Sequence, residues 1–156
     1  MRGDPGVLRI ERTFAARATA VFDARVSVPA LRRWWPAGAD WDTPFAEADV
    51  RVGGRLRLVM RDAAGTEYRG EGSYVEITRP RRLVFTWQWD DPQLGASPQL
   101  VEVTFTANPD GSTTVVLLNS GLTDREAQEH REGWQLSFDN LDALLADPAA
   151  ERAGPS

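Results

Sequence analysis

EHREGWQLSFDNLDALL (residues 129–145) repeats a large apolar side chain every three or four positions, at Trp134, Phe138, Leu141 and Leu145. That is the period of one α-helical face. The stretch also contains Gly133, which inside a helix costs about 1 kcal/mol relative to Ala. His130, the only histidine, lies one turn upstream on the same stripe. The start is marked by Thr123-Asp-Arg-Glu126, which has the spacing of a capping box. Asp147-Pro148 marks the stop, so the helix is expected to end near Ala146. At 1.5 Å per residue such a helix is roughly 35 Å long, enough to lie across a sheet of six or seven strands. The fold therefore turns on what this stripe covers.

Upstream the chain supplies a sheet. VLRIERTF (7–14) reads as a strand. After it, GRLRLVM puts Leu56, Leu58 and Met60 on one face and arginines on the other. EYRGEGSYVEI puts Tyr68, Gly70, Gly72 and Tyr74 on one face, and RLVFTWQW does the same for Leu83, Phe85, Trp87 and Trp89. LVEVTFT aligns Val101, Val103 and Phe105, and TTVVLLN aligns Val115, Leu117 and Asn119. NPDG (108–111) is a turn. One-sided strands of this kind suit an antiparallel sheet with one covered face. Between the first strand and this meander, residues 16–35 predict two short helices broken at Pro29, the second ending near Trp35-Pro36. Residues 36–53 read as irregular, 90–98 as a proline-bounded loop and 148–156 as a frayed tail. The expectation is one domain over 1–156 with a core of about 7–147. Its class is α+β: a curved antiparallel sheet wrapped around the long C-terminal helix, with two short helices after the first strand.

The totals narrow the function. A net charge of −5 argues against nucleic acid or an anionic membrane surface as partner. No run of about 18 apolar residues is present to insert in a membrane. The N-terminus lacks the apolar segment of a signal peptide, so a cytoplasmic protein is expected. The absence of Cys and the single His leave no set for a zinc site, a thiol nucleophile or a serine triad. No metal, cofactor or catalytic residue is therefore expected. Glu67, Glu71 and Glu102 fall on the outer strand face, where Arg55, Arg57, Arg69 and Arg82 are their expected partners. Gly70 and Gly72 are expected to bend the sheet around the helix, or to leave room for a ligand. Trp34, Trp35, Trp41 and Phe45 would either plug one end of the sheet or form the mouth of a cavity.

Several stretches, taken together, resemble a known family. They are RWWP (33–36), ADVRVGGRLRLVM (48–60), GEGSYVEITRPRRLVFTW (70–87), VTFTANPDGSTTVVLLNSGL (103–122) and the opening helix. In order and spacing they are similar to the SRPBCC, or START-like, superfamily, and within it to the branch named for the activator of the ninety-kilodalton heat-shock protein ATPase. The resemblance implies a helix-grip fold with a cavity between the concave sheet and the C-terminal helix, used by many members to bind small apolar molecules. Many relatives carry a His where this chain has Asn119.

The residues and the resemblance together favour binding of a small, largely hydrophobic molecule. The expected walls are Trp34, Met60, Tyr74, Phe85, Trp87, Phe105, Leu117, Trp134 and Phe138, with Asn119 and Gln135 as polar handles. Two alternatives stay open: a polyketide-cyclase-like enzyme that uses the same cavity by positioning, and a co-chaperone-type interaction module with a chaperone partner. A homodimer is compatible with either.

Overall fold

A computed structural model describes residues 7–35, 40–90 and 98–146. The sequence alternation becomes seven strands: β1 (Leu8–Phe14), β2 (Asp42–Ala48), β3 (Arg55–Arg61), β4 (Glu67–Thr78), β5 (Arg82–Trp89), β6 (Gln99–Ala107) and β7 (Thr113–Ser120). The helices are α1 (Ala18–Val26), α2 (Val28–Trp34) and α3 (Asp124–Leu145). The strands form one antiparallel sheet in the order β1-β7-β6-β5-β4-β3-β2. Most of the 90–98 loop and the 148–156 tail fall outside the described residues, as does Pro36.

Strands β3, β6 and β7 bury alternate residues, as a half-covered sheet requires. In β6, Val101, Val103 and Phe105 are buried, and in β7 so are Val115, Leu117 and Asn119. The β6–β7 turn follows from its chemistry. Gly111 has φ +90°, a conformation costly for other residues, and the Asp110 carboxylate accepts from the Ser112 amide at 3.0 Å. The outer face carries the expected ion pairs: Arg57 with Glu71, Arg69 with Glu67, and Arg82 with Glu102 and Glu76.

Two elements differ from the sequence reading. Residues 42–48, read as irregular, form the edge strand β2. Its pairing with β3 takes one extra residue between Asp42 and Phe45, where Pro44 sits. A proline and a bulge are tolerated at an edge because one side of the strand has no ladder to maintain, but they erase the alternation. The helix boundary falls at Ser27 and not at Pro29. The Ser27 side chain accepts from the Ala30 amide, and Pro29 occupies the first turn of α2, where its missing N–H costs nothing.

β1 and β2 are opposite edges of the sheet, so the chain between them must cross the sheet's open side. α1 and α2 make that crossing. The Arg79 guanidinium donates twice to Asp23, at 2.7 Å each, tying α1 to the β4–β5 turn, and Phe22 meets Phe105 edge-on at 5.2 Å. α3 then lies in the remaining space. Its capping box is formed: the Glu126 amide donates to the Thr123 hydroxyl and the Thr123 amide to the Glu126 carboxylate. Trp134, Ser137, Phe138, Leu141 and Leu144 are buried along α3. Leu144 takes the place expected for Leu145, which is only partly covered. Two bonds fasten α2 to α3: the Ser137 hydroxyl donates to the Trp35 carbonyl at 2.8 Å, and the Asn140 amide to the Trp34 carbonyl at 3.4 Å.

Candidate ligand cavity

Along α3 the buried stripe passes from close-packed rings to a pocket that opens to solvent. Phe138 and Leu141 are wholly buried, and Phe138 meets Phe14 edge-on at 5.8 Å. One to two turns toward the N-terminus of α3, a cavity of about 160 Å³ opens between the helix and strands β3–β5. Its walls are mostly rings: Trp35, Trp41, Tyr68, Trp87, Trp89 and Trp134. Met60 adds a flexible apolar side, and Glu129, His130, Gly133 and Ser137 line the helix side.

The rings hold one another. Trp35 sits at 5.4 Å from Trp87 and 5.2 Å from Trp134, between centroids. Trp87 meets Trp89 at 5.3 Å and nearly perpendicular, and Trp41 stacks on Tyr68 at 5.2 Å. Such contacts add about 0.5–1.5 kcal/mol each beyond the area they bury. Hydrogen bonds fix the ring positions further. The Trp134 indole N–H donates to Asn119 Oδ1 at 3.1 Å, and Asn119 Nδ2 donates to Gln99 Oε1 at 3.1 Å. The Tyr68 hydroxyl donates to Asp62.

His130 is part of this scaffold. Its Nδ1 lies 2.7 Å from the Glu126 carbonyl, which can only accept, so the ring proton belongs on Nδ1. Nε2 is then free to accept from the Trp89 indole N–H at 3.3 Å. The histidine thus ties the last residue of β5 to α3 at the cavity edge. Among the described residues no group of three or more His, Asp or Glu could hold a metal ion.

Of the residues expected to line a site, Met60, Trp87 and Trp134 meet at the cavity. Trp34, Tyr74, Phe85, Phe105, Leu117 and Phe138 belong to the same buried cluster but do not line this pocket. Trp34 is completely buried and its indole N–H donates to the Ala24 carbonyl at 2.8 Å. Asn119 is buried, but both ends of its amide are engaged: Oδ1 accepts from Trp134 and Nδ2 donates to Gln99. Gln135 is exposed, because one residue along a helix turns the side chain about 100° from Trp134. The tryptophan-rich region divides between its two expected uses: Trp34 plugs the core, while Trp35 and Trp41 face the cavity. Phe45 is 44% exposed.

The two strand glycines serve close packing. A Cβ on Gly70 would land inside the Trp87 indole, and one on Gly72 would strike the Thr86 carbonyl. The space their missing side chains leave is therefore already occupied. A larger depression, about 760 Å³, lies over the outer face of β2–β5. Its rim carries Arg57, Arg69, Glu67 and Glu71, and it is an open saddle of ion-paired side chains on the opposite face of the sheet from the ring-lined pocket, which is open to a similar degree.

One buried residue escaped the sequence reading. Arg25, on α1, is 3% exposed and is the only charged side chain among the buried described residues. Its guanidinium carbon stands over three rings, 4.9 Å from Trp34 and 5.4 Å from both Trp134 and Phe138. Nε and Nη2 have no hydrogen-bond partner among the described residues, nor does the Tyr74 hydroxyl. Burial lowers the Arg25 pKa to about 9, partly opposed by Tyr74, so the group is still cationic at neutral pH. Burial likewise pushes the Tyr74 phenol up to about 12, against the pull of Arg25. The missed signal was spacing: Arg25 follows Val21 by four and Phe22 by three, on the apolar face of α1.

The fold has parallels among solved structures. A protein of Chromobacterium violaceum superposes with a TM-score of 0.83 at 25% identity, over 91% of this chain and 98% of that one. An AHSA1 protein of Silicibacter pomeroyi gives 0.77 at 28%, over 90% and 97%. An AHSA1-like protein of Aeromonas hydrophila gives 0.70 at 27%, over 87% and 90%. No curated protein matches the chain. The family model described as activator of Hsp90 ATPase homolog 1-like protein matches residues 15–146, from the end of β1 to the last turn of α3, and the chain belongs to that family.

Proposed function

We propose that this protein binds a small, largely apolar molecule in the cavity between α3 and strands β3–β5. The observation that carries the reading is a pocket of about 160 Å³, open to solvent at one side and walled by six aromatic rings. Interiors are normally packed to crystal density, and side chains facing a void forgo their contacts on that side. A pocket lined by rigid rings with a few polar groups at one edge is the usual form of a small-molecule site. Its volume lies below the usual range of about 300–1,000 Å³ and equals that of about five liquid waters, so the occupant is a single ring or a short chain.

Native mass spectrometry of the protein purified from its own host, followed by solvent extraction, tests the reading. A retained small apolar molecule, lost on denaturation, is the expected result. Bare protein, together with no thermal shift across a panel of aromatic and aliphatic metabolites, would sink it.

A further inference from the structure

An unpaired guanidinium in a protein core needs an account. Removing such a cation from water costs several kcal/mol, and ring faces return only part of that. Buried arginines normally have hydrogen-bonding partners, and an orphaned one marks a position where an absent group belongs. Arg25 presents two buried N–H-bearing nitrogens without partners, and the Tyr74 hydroxyl, within the field of Arg25, presents a third unused donor. All three groups donate and none has an acceptor. The cavity and Arg25 also share a wall: Trp134 lines the cavity, and the Arg25 guanidinium packs on the same ring.

We propose that the cavity's ligand carries one carboxylate or comparable oxoanion, which Arg25 and the Tyr74 hydroxyl receive while the apolar body lies against Trp35, Trp87 and Trp134. The inference rests on the cavity reading and specifies the chemistry of its occupant. A planar guanidinium suits a two-oxygen anion, which can take parallel N–H donors, and in a dry core such a bond is strong. Arg25 is charged at neutral pH, as this pairing requires. The Trp134 ring is the part that must shift to admit the anion. Its indole N–H makes one hydrogen bond, to Asn119, and its ring packs on Trp35, Phe138 and the Arg25 guanidinium, so admitting the anion replaces the last of these contacts.

Calorimetric titration of the full chain with phenylacetate and 3-phenylpropanoate, against the matching alcohols 2-phenylethanol and 3-phenylpropan-1-ol, tests this at neutral pH. The acids are expected to bind roughly 10- to 100-fold more tightly than the alcohols, the range of a charge-assisted hydrogen bond. Arg25→Met should abolish that preference. Tyr74→Phe should reduce the preference several-fold. Equal binding of acids and alcohols, or a preference that survives Arg25→Met, overturns the anion inference and leaves the cavity reading standing. Failure of both acids and alcohols to bind counts against both readings.

Discussion

Gly70 shows how one missing side chain sets the shape of the cavity. The Trp87 indole lies where a Cβ at position 70 would be, so the glycine is a seat for the ring. Gly70→Ala places a methyl against that ring, and the indole must move toward the cavity it already lines. Overpacking of this kind costs about 1–3 kcal/mol. Chemical denaturation should show that loss, and the variant should bind cavity ligands more weakly than the parent. Tyr74 offers a test through pH. Its phenol titrates near 10 in the unfolded chain and is raised by burial to about 12 in the folded one. Between those values the folded state holds more protons, so Tyr74's contribution is intact below pH 10 and is lost as pH rises toward 12. Tyr74→Phe lacks that proton. Its stability relative to the parent should therefore rise from pH 9 to 11, moving toward a limit of about 2–3 kcal/mol. A difference that stays flat over that interval would mean the hydroxyl is not buried. At neutral pH the same substitution removes an unpaired hydroxyl and should cost little.

The long helix α3 was legible in its residues because its signals are local. The capping box and the 134–138–141 stripe need no knowledge of the rest of the chain. Strands β3–β7 were legible for the same reason. β2 was not, because Pro44 and the extra residue beside it interrupt the alternation that would mark a strand. α1 hid its most informative residue, since an Arg at helical spacing from Val21 and Phe22 breaks the apolar pattern it belongs to. Gly133 acquires a meaning only at this scale. A residue that weakens α3 by about 1 kcal/mol lines the cavity, where it contributes backbone and no side chain. Gly133→Ala is expected to raise stability by about 0.5–1 kcal/mol through helix propensity, while its methyl takes space from the ligand. Denaturation and titration on one sample check both halves. A gain in stability with unchanged affinity would make the glycine irrelevant to binding.

At the scale of the molecule, strand parity says which face is inside but not where the inside is empty. Phe85 and Trp87 share a face of β5, yet Phe85 is packed in core and Trp87 borders the cavity. The difference arises from what stands opposite: Phe85 meets Tyr74, whereas Trp87 meets the rings at the end of the α1–α2 crossing and the glycine end of the α3 face. That juxtaposition depends on long-range topology, so strand parity alone does not say which inward residues border the pocket. Trp134 is the residue where filled core, cavity and buried cation meet, so its removal reads the whole arrangement. In a solid core, Trp→Ala costs about 3–5 kcal/mol, because the void left behind has lost its contacts on every side. Here the Trp134 ring already borders open space, and its loss would open a way for water to the Arg25 guanidinium and Asn119 Oδ1. Hydration of a cation held without partners offsets part of the lost packing. Trp134→Ala should therefore destabilise by less than about 3 kcal/mol in urea, and by less than Phe138→Ala, which sits in the filled part of the same stripe. The reverse order would place the void elsewhere and remove the physical basis for a cavity at this end of α3.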